Sequence, residues 1–267
     1  MIHFLPHCPI YADFAIINHM LNISFIVPAY NEEEILGQCL KSILDEVAQN
    51  PQINSEVIVV NNASTDNTKN IAMSFAGVKV VDEPKKGLIF ARSAGAKAAV
   101  GELLAHIDAD GILPTGWLKT VVTEFARNKK LVALSGPHVY YDLSELKKIG
   151  VRLFYYLTFL SYLINRFILR IGSMMQGGNF VVRAWAWKQI GETSSNFNFY
   201  GEDIELARRL NKVGGVKFTF SLPIYISGRR FANEGFFTVG ARYALNYFSV
   251  LFLKKPATKN YKDIRPV

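Results

Sequence analysis

Cysteine is nearly absent: Cys8 and Cys39 are the only two in 267 residues. Two such residues make neither a metal-ligand pattern nor a disulfide framework, and a reducing compartment, the cytoplasm, fits. No apolar run is long and clean enough to cross a bilayer. Lys/Arg-rich runs with interleaved aromatics are missing, which argues against a nucleic-acid partner. There is no internal repeat and no low-complexity linker. Met1 to Asn22 has no basic residue and no clear cleavage site, so it makes a poor signal peptide.

What is present is apolar and basic. Half the residues are hydrophobic, enough for a sizeable core, and Lys+Arg 30 against Asp+Glu 22 gives a net charge of +8. That balance favours anionic partners such as nucleotide diphosphates or phospholipid head groups. The stretch that organises the rest is His106-Ile107-Asp108-Ala109-Asp110-Gly111. It follows an apolar run, Leu103-Leu104-Ala105, that reads as a buried strand. In an extended segment residues two apart share a side, so Asp108 and Asp110 address one volume at a strand's C-terminal end. Ligands bind there in open α/β sheets, and two hard oxygen donors suit Mg²⁺ or Mn²⁺ holding a diphosphate. An Asp-x-Asp before glycine is equally the composition of a plain turn.

The pattern along the chain alternates. Strands are expected at Asn22–Pro28, Glu56–Val60, Val78–Val81 and Glu102–Asp108. Helices are expected from Tyr30-Asn31-Glu32-Glu33-Glu34 to about Ala48, after the polar turn Asn61–Thr68, and over Leu88–Val100 carrying Arg92. Glutamates in a first helical turn suit the helix dipole. Such alternation predicts a mostly parallel sheet flanked by helices. A helix at Thr115–Asn128 and strands at Leu131–Ser135, Gly177–Arg183 and Val216–Phe220 follow. Gly201-Glu202-Asp203 opens a helix from Ile204 to Asn211. Leu146–Ile171 is aromatic-rich but broken by Arg152, Asn165, Arg166 and Arg170. It fits a helix packed on the sheet as well as one lying in a membrane interface. A last amphipathic, aromatic-rich helix is expected from Phe236 to Leu253, ending on Lys254-Lys255.

Phe25-Ile26-Val27-Pro28-Ala29-Tyr30-Asn31-Glu32-Glu33, the Asn61–Thr68 turn, Asp108-Ala109-Asp110 and Gly201-Glu202-Asp203 resemble, in order, the motifs of the family 2 glycosyltransferases. The resemblance covers about Asn22 to Phe231 and implies a GT-A fold, a nucleotide-binding α/β domain with the acceptor half built on it. It implies that Pro28, Ala29 and Tyr30 line the nucleobase and ribose pocket, with Glu32, Asn61 and Asn62 reaching base and ribose. Asp108 would meet ribose or sugar, Asp110 the metal, and Arg92 the sugar or diphosphate. Asp203 would be the catalytic base, although an aspartate there also suits a helix N-terminus, with Glu202 as its dipole partner. Arg229 and Arg230 suit phosphate oxygens or a solvated basic patch. Two departures stand out. The family often has an acid where Asn61 or Asn62 stands, and an amide accepts a base N–H less strongly. That departure leaves the base open between two expectations, UDP first and GDP second. All five histidines precede residue 139, so the late metal-binding histidine of some GT-A enzymes is missing.

The expectation is an inverting, metal-dependent transferase moving sugar from a nucleotide diphosphate to a hydroxyl or lipid-linked acceptor, in polysaccharide or glycolipid synthesis. A polyprenyl-phosphate glycosyltransferase, whose anionic acceptor hardly needs a base, and a non-catalytic sugar-nucleotide or membrane-binding protein are the alternatives. A nucleotidyltransferase would carry a glycine-rich loop where Tyr30–Glu34 stands. Residues 1–21 are expected to be an extension, with the first nineteen dispensable. Residues 22–231 are expected to form the transferase domain. Residues 232–267 are expected to form a C-terminal helical segment that touches the cytoplasmic face of a membrane or makes a homodimer.

Overall fold

The protein is described here by a computed structural model covering residues 21–164, 174–191, 201–253 and 255–258. The expectations for the first twenty residues, for Asn165, Arg166 and Arg170, and for Lys254 lie outside these.

Strands β1 (Ile23–Ala29), β2 (Ser55–Asn61), β3 (Val78–Asp82) and β4 (Leu103–Ile107) alternate with helices α1 (Leu36–Gln49), α2 (Thr68–Ser74) and α3 (Leu88–Ala98). Helix α4 (Trp117–Arg127) leads to β5 (Leu131–Ser135) and the short β6 (His138–Tyr140). Helix α5 (Glu145–Leu163) precedes β7 (Asn179–Arg183), α6 (Ala184–Ile190) and α7 (Glu202–Leu210). The chain continues through β8 (Gly215–Phe218), β9 (Ile224–Ile226), α8 (Arg229–Glu234) and α9 (Phe236–Leu253).

Seven strands form one sheet in the order β3-β2-β1-β4-β7-β5-β8, parallel except for β7, which runs antiparallel to both its neighbours. β6 and β9 form a separate parallel pair. The sheet strands are apolar on both faces because helices cover both. Leu36, Leu40 and Ile43 of α1 and Trp117, Val121 and Phe125 of α4 pack on one side. Ala91 of α3 and Leu206 and Leu210 of α7 pack on the other. Pro28 is tolerated inside β1 because pairing with β4 stops at Ile26–His106, so its missing N–H leaves no rung open on that side.

The mostly parallel α/β architecture is as expected, and most elements fall within a few residues of their predicted places. One start differs. Helix α1 begins at Leu36, and no acid lies in its first turn. Asn31 instead takes a positive φ of 49°, and residues 31–33 bond the β2–α2 loop. Glu32 N–H donates to Thr68 Oγ1 at 2.8 Å and Asn31 Oδ1 accepts from Thr65 N–H at 2.9 Å. Local side-chain bonds of this kind compete with helix. The glutamates are thus placed by tertiary contacts, not by the helix dipole. The short elements β6, α6, β9 and α8 had no sequence signal.

Candidate functional site

The site forms where the sheet reverses direction. β1 and β4 end on the same edge at which the antiparallel β7 begins, and such reversals leave a crevice outside the strand ends. Asp108 and Asp110 lie there, but not through strand alternation, because β4 ends at Ile107. They sit in a tight turn closed by Gly111 N–H donating to the Asp108 carbonyl at 2.8 Å. Gly178 faces Asp108 from the start of β7. Its φ is +74°, and a Cβ there would stand 2.2 Å from Asp108 Oδ2. Only glycine meets both demands.

A cavity of about 170 Å³ opens over these groups. Pro28, Glu32, Arg92, Asp108, Asp110, Glu202, Asp203, Arg229 and Arg230 all line it, so nine side chains spread from residue 28 to residue 230 converge. Arg92 is buried and donates to Glu202 Oε1 and, at 3.1 Å, to Asp108 Oδ1. It ties α3, the β4 turn and α7 together. Arg229 donates to both oxygens of Glu32 at 2.8 and 2.9 Å and stands 3.6 Å from Asp110 Oδ2. The β6–β9 pair and the Ile112–Tyr225 bridge bring this arginine across the turn.

Asp203 is not the cap of α7, since Gly201 holds that place with a φ of +77°. Its Oδ2 accepts from Gly177 N–H at 3.1 Å and its Oδ1 from its neighbour Ile204 N–H at 2.9 Å. Burial raises its pKa against these N–H groups and the charge of Arg92. The Gln176–Gly178 segment therefore holds Asp203 with one residue and makes room for Asp108 with the next. Asp110 is pushed up to about 7, first by burial, then by the charges of Asp108 and Glu32, while Arg229 opposes the shift. Among the described residues no three or more His, Cys, Asp and Glu side chains gather as a metal cluster. The donor set fits a hard divalent cation only with ligand oxygens completing its shell. Asp108 and Asp110 are the carboxylates that the β4 turn brings to the cavity.

The other expected base-side residues lie outside the cavity lining. Ala29 joins the core. The Lys86 ammonium covers the Tyr30 ring at 3.6 Å from its centre. Asn62 braces the loop before α3, donating to the Glu83 and Lys85 carbonyls and accepting from Gly87 N–H at 2.7 Å. Asn61 donates to Asp82 Oδ1 at 2.8 Å, and its own Oδ1 is buried without a partner. Residues that sequence reasoning missed include His138, Tyr140, Gln176, Gly177 and Tyr243, which also line the cavity. Of these, only the glycine pair before β7 left a trace in the sequence. His138 is held neutral by burial, its pKa lowered to about 4.

Known proteins are similar to this chain in sequence and in fold. The glycosyltransferase AglE of Haloferax volcanii is 32% identical over 106 residues, which are 38% of this chain and 34% of that protein. The chain thus aligns with about a third of the length of that relative. A mannosyltransferase from Pyrobaculum calidifontis, solved with GDP-Man and Mn²⁺, superposes with a TM-score of 0.58 at 17% identity. That match covers 82% of this chain and 64% of the other. Glucosyl-3-phosphoglycerate synthase from Mycobacterium tuberculosis, solved with Mn²⁺ and UDP-Glc, superposes with a TM-score of 0.60 at 18% identity, covering 96% and 86%. At these identities the likeness is one of fold, the GT-A type. The family model described as glycosyl transferase family 2 matches residues 24–191, taking in β1, the Asp108–Asp110 turn and β7. The chain belongs to glycosyl transferase family 2.

Proposed function

We propose that the protein is an inverting glycosyltransferase that moves a sugar from a nucleotide diphosphate to a hydroxyl acceptor. The observation that carries this reading is that Asp110 and Asp203 line one cavity, each with a different set of partners. Asp110 lies with Glu32 and Arg229 on the side of β1 and the β4 turn, where the diphosphate would enter. Asp203 stands on α7, its carboxylate aimed by the Gly177 N–H. The acceptor oxygen attacks the anomeric carbon and its proton passes to Asp203. The bond from that carbon to the diphosphate oxygen breaks, and the nucleoside diphosphate leaves with the electron pair. A base made more basic by burial suits a neutral hydroxyl.

Arg229 and Arg230 meet the negative charge that grows on the leaving group. Arg229 would exchange its hold on Glu32 for a phosphate oxygen. A divalent cation held by Asp110 and the diphosphate would supply further positive charge there. Two structural neighbours were solved with Mn²⁺ and a nucleotide sugar, which supports this choice, and Mg²⁺ has the same donor preference. UDP is the first donor and GDP the second; structural neighbours were solved with UDP-Glc and with GDP-Man.

Transfer of radiolabelled sugar to hydroxyl acceptors tests the reading. Asp203→Asn should abolish transfer and keep nucleotide-sugar affinity. Collapse of that affinity would put Asp203 in the donor site instead.

A further inference from the structure

A second cavity, about 510 Å³, lies between α5 and α9 and adjoins the first. Tyr140, Gln176, Asp203, Phe231 and Tyr243 line both. Away from that junction its wall is apolar and aromatic, with Phe154 from α5, Met174 and Met175 before β7, and Phe236 and Tyr247 from α9. The two helices are joined near the ends of the cavity. Phe236 packs by Gly150, where an added Cβ would stand 3.2 Å from its ring, and the Ser161 and Tyr247 hydroxyls are 3.4 Å apart. Between these points the helices leave open space. A Cβ added at Gly240 would meet nothing within 4 Å.

A sugar or phosphate would leave most of this wall unused, because such groups need hydrogen-bond partners and, apart from Tyr155, Thr158, Asn246 and Tyr247, the wall beyond the junction is apolar. An alkyl chain needs none. α5 also carries an exposed apolar stripe on its outer side, with Ile149, Leu153, Tyr156 and Leu160 each more than half exposed. Lys147 and Arg152 are exposed beside it. A stripe of that kind, basic at its edge, suits the surface of an anionic bilayer.

We propose that the acceptor is an amphiphile whose single apolar chain fills the cavity between α5 and α9 and delivers its hydroxyl to Asp203. The inference rests on the reading of Asp203 as the base that receives the acceptor proton. It adds what the acceptor is attached to and where that part binds.

Primary alkanols are the smallest probes that carry both a hydroxyl and a chain. Titrating 1-hexanol, 1-octanol and 1-decanol into the full chain by calorimetry should show affinity rising about four-fold per methylene. Gly240→Leu puts a side chain into the open space, so 1-decanol affinity should fall at least ten-fold, and Gly240→Ala should fall less. Nucleotide-sugar titration of the same samples separates the two claims. Loss of all nucleotide-sugar binding by the wild type would overturn the transferase reading. Intact nucleotide-sugar binding with affinity flat across the alkanols, or untouched by Gly240→Leu, would overturn this one. A stable dimer with no alkanol binding would also overturn it and give the cavity to a second copy of the chain. The wild-type series decides the matter even if Gly240→Leu folds poorly.

Discussion

Arg92 is the side chain whose loss should be felt most widely. It is 2% exposed and holds two carboxylates, Glu202 and Asp108, whose side chains are 8% and 33% exposed. Arg92→Met keeps the volume and removes the charge. Glu202 then stays buried with no counterion, and breaking a buried pair from one side costs about 3–5 kcal/mol. Asp108 reaches water and adds less. For a chain of this size that loss is about 6–20 °C in Tm. Replacing the whole pair with apolar groups is close to neutral, because neither charge is then stranded. Arg92→Met combined with Glu202→Met should therefore recover most of the loss. Urea unfolding of both single variants and the double variant gives the coupling directly. A loss below about 1 kcal/mol for Arg92→Met, or a double variant no better than the single one, would refute the ion pair as the tie between α3 and α7.

Other outcomes follow from the same geometry. Gly178→Ala faces both a positive φ and a Cβ 2.2 Å from Asp108 Oδ2. Transfer should fall at least ten-fold while Gly177→Ala, whose Cβ meets nothing closer than 3.7 Å, costs less in a parallel assay. Because Asp110 binds its proton up to about pH 7 in the fold but only below about 4 when unfolded, the metal-free protein should lose stability as pH rises from 4 to 7. Below pH 7 the half-saturating Mn²⁺ concentration should fall about ten-fold per pH unit and level off above. A metal dependence flat with pH would remove Asp110 as the ligand. Sedimentation with anionic liposomes should be seen at low salt and fade as salt screens Lys147 and Arg152. Binding indifferent to salt would assign the α5 stripe to apolar contact alone.

Much of this was legible in the sequence for one physical reason. A parallel sheet buried on both faces writes itself as continuous apolar runs, and those runs located β1, β2, β4 and β5. That regularity alone did not single out Asp108, Asp110 and Asp203, since Asp-x-Asp before glycine is also a plain turn and acids after Gly201 also suit a helix start; their order behind the β1 motif and the Asn61–Thr68 turn, and the family resemblance that order carries, marked them. What the sequence did not show comes from long-range pairing. The bond from Gly177 to Asp203 spans 26 residues, that from Arg229 to Glu32 spans 197, and neither leaves a local pattern. Strands of three residues such as β6 and β9 are too short for a period, yet they deliver His138, Tyr140 and Arg229 to the site. The Glu32–Glu34 cluster was misread as helix because its partners, Thr68 and Asp66, lie more than thirty residues away. The apolar cavity between α5 and α9 is a matter of spacing between two helices, which no residue of either helix records by itself.

On the proposed roles, Asp110 should make nucleotide-sugar binding depend on a divalent cation and Asp203 should take no part in it. Thermal unfolding in the presence of UDP- and GDP-sugars, with Mn²⁺ or with EDTA, measures this on the wild type, Asp110→Asn and Asp203→Asn. A ligand at a hundred times its Kd stabilises the fold by about 2.7 kcal/mol, a rise of about 5–11 °C. That rise is expected for the wild type and for Asp203→Asn with Mn²⁺, and none with EDTA or for Asp110→Asn. An equal rise in EDTA, or in Asp110→Asn, would contradict it.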